Sequence, residues 1–215
     1  GTIGLPSPAS QPWLAPRHPE HSRLIAAAEA MPARLDDWGY SVSTGPLVWN
    51  RFKDQMRDRA GRGVHPLIWA EAVTADGRFI YRAEKRNHAP YFKIARGDAW
   101  LLVKEQARRL IAAELPAEFI AKHGGVVVEN HLNMVRPTLR PAVSPATVAA
   151  VLNSRIADEL FRCINGSVAV SAFELEAIPL PSPAAMRGVE RLVAKGACSV
   201  EIEAELARLY GQEQA

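Results

Sequence analysis

The pattern of this chain predicts an α+β fold: a twisted, mostly antiparallel sheet flanked by N-terminal and C-terminal helices. Three observations carry that expectation. Apolar residues recur at helical spacing near both ends, in 20–31, 144–164 and 184–210. Between them lie short β-branched or aromatic runs, divided by Gly, Pro, Asn and Asp turn signals. With 215 residues, 48% hydrophobic and 23% charged, the chain can bury one large domain, or one domain plus a small appendage.

The elements follow in order. Residues 1–19 hold five prolines and read as an extended linker, with Trp13 and Leu14 as candidates to dock on the body. Leu24, Ile25 and Ala28 predict a helix over 20–31, which Pro32 stops. Tyr40 to Lys53 alternates as a strand, breaks at Thr44-Gly45-Pro46 and restarts as Leu47-Val48-Trp49. Leu67 to Val73 is strand-like, and Phe79 to Tyr81 is its hairpin partner across Asp76-Gly77. Tyr91 to Ile94 and Ala99 to Val103 are further strands. Gln106 to Leu115 fits a helix or a strand equally well.

Pro116 to His123 is a helical turn closed by Gly124-Gly125, and Val126-Val127-Val128 is a strand. Glu129 to Arg136 alternates polar with apolar and extends the sheet. Ser144 caps a helix whose apolar face runs to Ile164. Val168 to Val170 is a short strand, and Ser171 caps a turn of helix. An extended Pro-rich crossing precedes two amphipathic helices, 184–195 and 199–210. The expected organisation is a linker (1–19), a main α+β domain (20–182) and a helical pair packed on it (183–215).

Charge narrows the function. The net charge is only +3, but Arg51 to Arg109 holds 14 Lys/Arg against 7 Asp/Glu, while the rest of the chain is acidic. A local basic excess fits a polyanionic partner, double-stranded DNA above all. Cys163 and Cys198 form no disulfide framework and no metal-ligand pattern, which fits a reducing, cytoplasmic setting. No apolar run reaches membrane-spanning length, so no membrane partner is expected. The start lacks a signal-peptide pattern and reads as a cut into a longer chain.

No catalytic motif stands out. There is no nucleophile elbow, no Walker A loop, no G-x-G-x-x-G and no H-E-x-x-H. Glu71, Asp76 and Glu84 lie near a hairpin without the E-x-K spacing of a metal-dependent nuclease. Recognition chemistry is better supplied. Ser43, Thr44, Asn50, Arg51 and Lys53 are the expected groove contacts, because Arg reads guanine and Asn reads adenine bidentately. Arg57, Arg59, Arg62, Arg108 and Arg109 suit phosphates, which position a protein without reading sequence. Asn130, His131, Asn133 and Arg136 are second-choice contacts, and Trp49 is the anchor behind the first set.

The stretch S-T-G-P-L-V-W-N-R-F-K (43–53) carries a resemblance. With V-V-V-E-N-H-L-N-M-V-R-P (126–137) and L-N-S-R-I-A-D-E-L-F-R-C-I-N-G-S-V-A-V-S-A-F-E-L-E-A-I-P-L-P (152–181), it resembles the C-terminal target-recognition (TaqI-like specificity) domain of restriction-modification adenine-N6 DNA methyltransferases of the gamma type. The last stretch also looks like the end of a recognition domain in type I specificity subunits. The resemblance implies a catalytic half that binds S-adenosylmethionine and stacks an extruded adenine on an N-P-P-Y/F motif. This chain has no N-P-P. No cofactor is therefore expected here, and the catalytic domain is expected upstream in the same polypeptide. The alternative is a specificity-subunit-like interaction module, using the apolar faces Met186-Val189-Leu192-Val193 and Ile202-Leu206-Leu209.

Overall fold

A computed structural model describes residues 13–84, 88–94, 102–103, 109–110, 113–138, 140–164 and 170–212. Most of the Pro-rich start, Arg108, the side chain of Arg109, and positions 168–169 lie outside the described residues. The fold is α+β, and it divides into two compact units. One comprises 1–42 with 138–215, and the other 43–137.

The first unit is helical. Helix α1 (His21–Glu29) turns His21, Leu24, Ile25 and Ala28 inward, as its apolar spacing predicts. The chain before it docks by backbone: Ala15 N–H donates to the Cys163 carbonyl at 2.8 Å. Trp13, expected as an anchor, is 52% exposed. The cap at Ser144 is as expected, its side chain accepting from Thr147 N–H. The helix it starts is not continuous, however. It splits into α3 (Pro145–Leu152) and α4 (Arg155–Ile164). Ser154 causes the break. Its hydroxyl donates to the Val151 carbonyl at 2.6 Å and accepts from Ala157 N–H at 3.2 Å. One side chain thus closes one helix and caps the next.

Helix α5 (Ala172–Glu176) opens on a Ser171–Glu174 capping box. Helices α6 (Arg187–Ala194) and α7 (Ser199–Leu209) finish the chain. Met186, Val189 and Leu206 are buried in this unit. Three buried aromatics tie the unit together through their polar ends. Trp38 Nε1 donates to the Pro181 carbonyl, Tyr40 to Val143, and Tyr210 to Pro179, at 2.7 to 2.9 Å.

The chain passes into the second unit along β1 (Tyr40–Thr44). Here β2 (Met56–Arg57), β4 (Tyr91–Lys93), β3 (Val64–Ile68), β8 (Val126–Val128) and β5 (Leu102–Val103) form one sheet, in that order. A second sheet runs β1, β9 (Asn133–Pro137), β6 (Arg109–Leu110), β7 (Ala113–Glu114). The β2–β4, β3–β4, β5–β8, β6–β7 and β6–β9 pairs are antiparallel, whereas in β3 with β8 Leu67 meets Val127 and Ile68 meets Val128 in parallel. That pair is buried on both faces, which is why β8 is three consecutive valines. Ile68, Val126 and Val128 join Leu115, Ile120 and Met134 on one side. Leu67 and Val127 join Leu47, Trp69 and Phe92 on the other. Helix α2 (Ala117–His123) ends at Gly124, whose φ of 67° needs a residue without Cβ.

Several strand expectations need correction. The run from Leu67 leaves the sheet after Ile68, and Ala70–Ala72 is a 3-10 turn. The alanines of Ala70-Glu71-Ala72 have little to gain on a pleated surface. The hairpin survives only as a single bridge between Val73 and Phe79. Gln106 to Leu115 contributes the β6–β7 pair, so Arg109–Leu110 and Ala113–Glu114 are strand. The stretch restarting at Leu47 makes one parallel bridge, to Glu129, and then coils into a 3-10 turn at Trp49–Arg51.

One consequence is testable at high pH. Burial pushes the Tyr210 phenol well above the ordinary tyrosine range, while the Arg34 guanidinium pulls the other way. A raised folded-state value means stability that is complete below the unfolded value of about 10 and is lost as pH rises past it. Urea unfolding midpoints are expected to hold up to about pH 10 and to fall as the pH rises above it. Tyr210→Phe should flatten that fall and cost about 1 kcal/mol at neutral pH, by orphaning the Pro179 carbonyl. An unchanged slope in the variant would contradict the assignment.

Candidate nucleic-acid interface

The interface begins with a backbone approach that only glycine permits. A Cβ at Gly45 would stand 2.2 Å from the Glu129 carbonyl oxygen and 2.9 Å from that of Val128. With no side chain there, residues 44–47 lie directly against 128–133. Gly45 N–H donates to Leu132 O at 2.7 Å, Leu47 N–H to Val128 O at 3.2 Å, and Asn130 N–H to Leu47 O at 2.9 Å. The Thr44 hydroxyl donates to Asn133 Oδ1 at 3.2 Å. Two of the stretches singled out in the sequence are thereby stitched side by side.

From this stitch the chain launches the 3-10 turn at Trp49–Arg51 and a second at Lys53–Gln55. Trp49 is half-buried, packed against the Leu47, Leu67, Trp69, Phe92 and Val127 cluster, with Trp69 edge-on at 6.1 Å. It anchors the turn. Asn50 and Arg51 are exposed, and the Arg51 backbone N–H closes the turn on the Val48 carbonyl at 3.0 Å. Lys53 Nζ rides over the Trp49 ring, 5.5 Å from its centroid, which holds the cation near Asn50 and Arg51. Arg57 is turned back on its own loop, donating to the Asp54 and Met56 carbonyls at 2.7 Å each. Arg59 and Arg62 project into solvent.

The second-choice set divides. Glu129 is buried at 1% exposure and is the hub of its turn. Its Oε2 accepts from the His131 backbone N–H at 2.9 Å, and both oxygens lie within 2.9 Å of His131 Nδ1. With its amide nitrogen facing acceptors, Asn130 donates to Glu129 Oε1 at 2.7 Å and to Leu47 O at 3.3 Å. Asn133 is buried beside Thr44, so it braces the turn from beneath. The His131 side chain remains 70% exposed. Ser43 Oγ and Arg136 Nε are buried without a partner among the described residues. Glu129 itself was visible in the sequence only as part of E-N-H. A carboxylate two residues before an imidazole is the signal that marks it.

The fourteen contact residues named from the sequence all fall within 43–137. That unit holds 16 Lys/Arg against 10 Asp/Glu, whereas the other holds 10 against 13. The nuclease-like carboxylates have other occupations. Glu71 meets His88 Nδ1 at 3.1 Å, and Asp76 pairs with Arg78 at 2.6 Å. His88 also stacks on Trp69 at 4.4 Å, a pairing that sequence reading missed because nineteen positions separate the two rings. Among the described residues, no three His, Cys, Asp or Glu stand where they would hold a metal ion, and no helix is long and apolar enough to cross a membrane.

The arrangement is thus that of a cationic α+β unit displaying amide, guanidinium, ammonium and imidazole groups from a braced turn. Among known proteins, the chain is similar to the type II methyltransferase M.BsuBI of Bacillus subtilis, at 28% identity over 163 residues. The match covers 69% of this chain and 32% of that relative, so the chain spans about a third of the relative's length. No protein-family model matches.

Substitution at Gly45 tests the stitch. Gly45→Ala is expected to destabilise by roughly 1–3 kcal/mol, since the carbonyls it meets are backbone and have no rotamer to move. At this chain length that lowers Tm by about 2–4 °C per kcal/mol. Gly61→Ala is the control, because its added Cβ meets only Val64 Cγ2, at 3.7 Å. Equal melting of the two variants would contradict the close-approach argument.

Proposed function

We propose that this chain is the DNA target-recognition part of a restriction-modification adenine-N6 methyltransferase. The unit 43–137 grips a duplex. A catalytic segment elsewhere in the full polypeptide, expected upstream, extrudes the adenine and methylates it. That segment would bind S-adenosylmethionine. Nothing in the present chain offers the N-P-P-Y/F platform, so no step through the cofactor is derived for it.

The observation that carries this reading is the similarity to a type II methyltransferase over one third of that protein's length. The charge division supports it further, since the unit holding the candidate contacts holds the basic excess. Asn50 and Arg51 are the base readers, and Lys53, Arg59, Arg62, Arg108 and Arg109 serve the phosphates. Arg57 shapes the loop. A restriction-modification methyltransferase acts on cellular DNA, so the cytoplasm is its working compartment. The alternative of an interaction module on the C-terminal helices has less support, because Met186, Val189 and Leu206 are already covered within their own unit.

Duplex binding across a salt series tests the reading. Log affinity is expected to fall with log salt at a slope of about −0.9 per phosphate contact. Arg59→Ala and Arg62→Ala should each reduce that slope by about one unit. Arg51→Ala should instead cost roughly 1–3 kcal/mol and relax preference at one base pair. Absent or salt-independent binding would overturn the proposal.

A further inference from the structure

We infer that Glu129 is a positioning residue that fixes the tautomer of His131, making His131 a reader of exocyclic amino groups on cytosine or adenine. The inference rests on the DNA-recognition reading above. Its structural basis, however, is independent of DNA.

A neutral imidazole carries one N–H and one lone pair, and the partner of one nitrogen decides the role of the other. Here the partner is unambiguous. Both carboxylate oxygens of Glu129 lie on Nδ1, at 2.7 and 2.9 Å. They also accept from the His131 backbone N–H and the Asn130 amide. With the His131 backbone N–H and the Asn130 amide both donating to it, the Glu129 carboxylate meets Nδ1 as an acceptor. Nδ1 must therefore carry the proton. Nε2, on the ring edge away from the carboxylate, is left with its lone pair. The ring is 70% exposed although its partner is buried, so the fixed acceptor faces outward.

The surroundings reinforce this. Asn130, the neighbouring polar side chain, has its donor nitrogen committed to Glu129 and the Leu47 carbonyl. Asn133 is buried. At this turn the outward chemistry is an imidazole acceptor. In the major groove, the base-edge donors are cytosine N4–H₂ and adenine N6–H₂, while guanine and thymine present acceptors. A fixed acceptor therefore selects cytosine or adenine at one position. Across the stitch, the exposed Arg51 supplies donors that suit guanine, and the exposed Asn50 supplies a donor and an acceptor that suit adenine. The Gly45 approach ties these two turns into one reading surface.

Two measurements on the whole chain test this. Long-range ¹H–¹⁵N NMR of the uniformly labelled protein at about pH 8, above the ordinary histidine range, reports the tautomer directly. The expected result is a protonated Nδ1 and an unprotonated Nε2 for His131; the reverse would overturn the positioning role. The second measurement selects bound duplexes from a random-sequence pool with wild type and with His131→Ala. The wild type is expected to show one position preferring cytosine or adenine. The variant should lose that preference roughly tenfold while other positions keep theirs. Loss of a guanine or thymine preference, or no positional change, would overturn the reader role. No binding by wild type, with the tautomer as expected, would overturn the DNA reading and the reader role with it, leaving only the tautomer assignment. His131→Gln supplies a check on folding, since Gln can still donate to Glu129 from the same turn.

Discussion

The juxtaposition of the two candidate reading turns depends on the space left by one absent side chain. At Gly45 the backbone comes so close to Glu129 that any Cβ would overlap a carbonyl. The hydrogen bonds that follow lock two turns far apart in sequence into one surface. The Trp49–Arg51 turn and the Glu129–Leu132 turn then share a foundation. One carries an amide and cations, the other an imidazole oriented by a buried carboxylate. Recognition of a duplex requires such groups at fixed separations, because base edges are read only in narrow geometries. A loop carrying the same residues without the stitch would lose ordering entropy on every encounter.

Burial separates the roles of residues that look equivalent in sequence. Arg57, Arg59 and Arg62 are three arginines in one basic run. One is consumed by its own loop carbonyls while two face solvent. Asn130, His131 and Asn133 form a polar cluster on paper, yet only His131 is exposed. Charge behaves likewise. A net +3 reflects a basic unit and an acidic one, and long-range attraction of a polyanion depends on the local field.

Much of the fold was legible because it rests on local chemistry. The Ser144 and Ser171 caps, the three-valine strand, the α2 stop at Gly124 and the two closing helices follow from composition and spacing. What was not legible depended on contacts between distant segments. The single helix expected from Ser144 to Ile164 is two, because the Ser154 hydroxyl serves both ends. The strand expected at Leu47 ends after one bridge, because its partner is a parallel segment more than eighty residues away. Candidate contact residues were legible as chemical types, whereas their support was not. Glu129 gains its importance only once its burial and its distance to the His131 ring are known.

The central claim is that the 43–137 unit, and not the helical unit, meets DNA through the two stitched turns. Amide hydrogen exchange of the whole chain, alone and with excess random-sequence duplex at low salt, tests it most directly, since phosphate contacts need no particular sequence. Slowed exchange is predicted across 49–62 and 129–132, with α6 and α7 unchanged. Protection of α6 and α7 alone, or none anywhere, would contradict it.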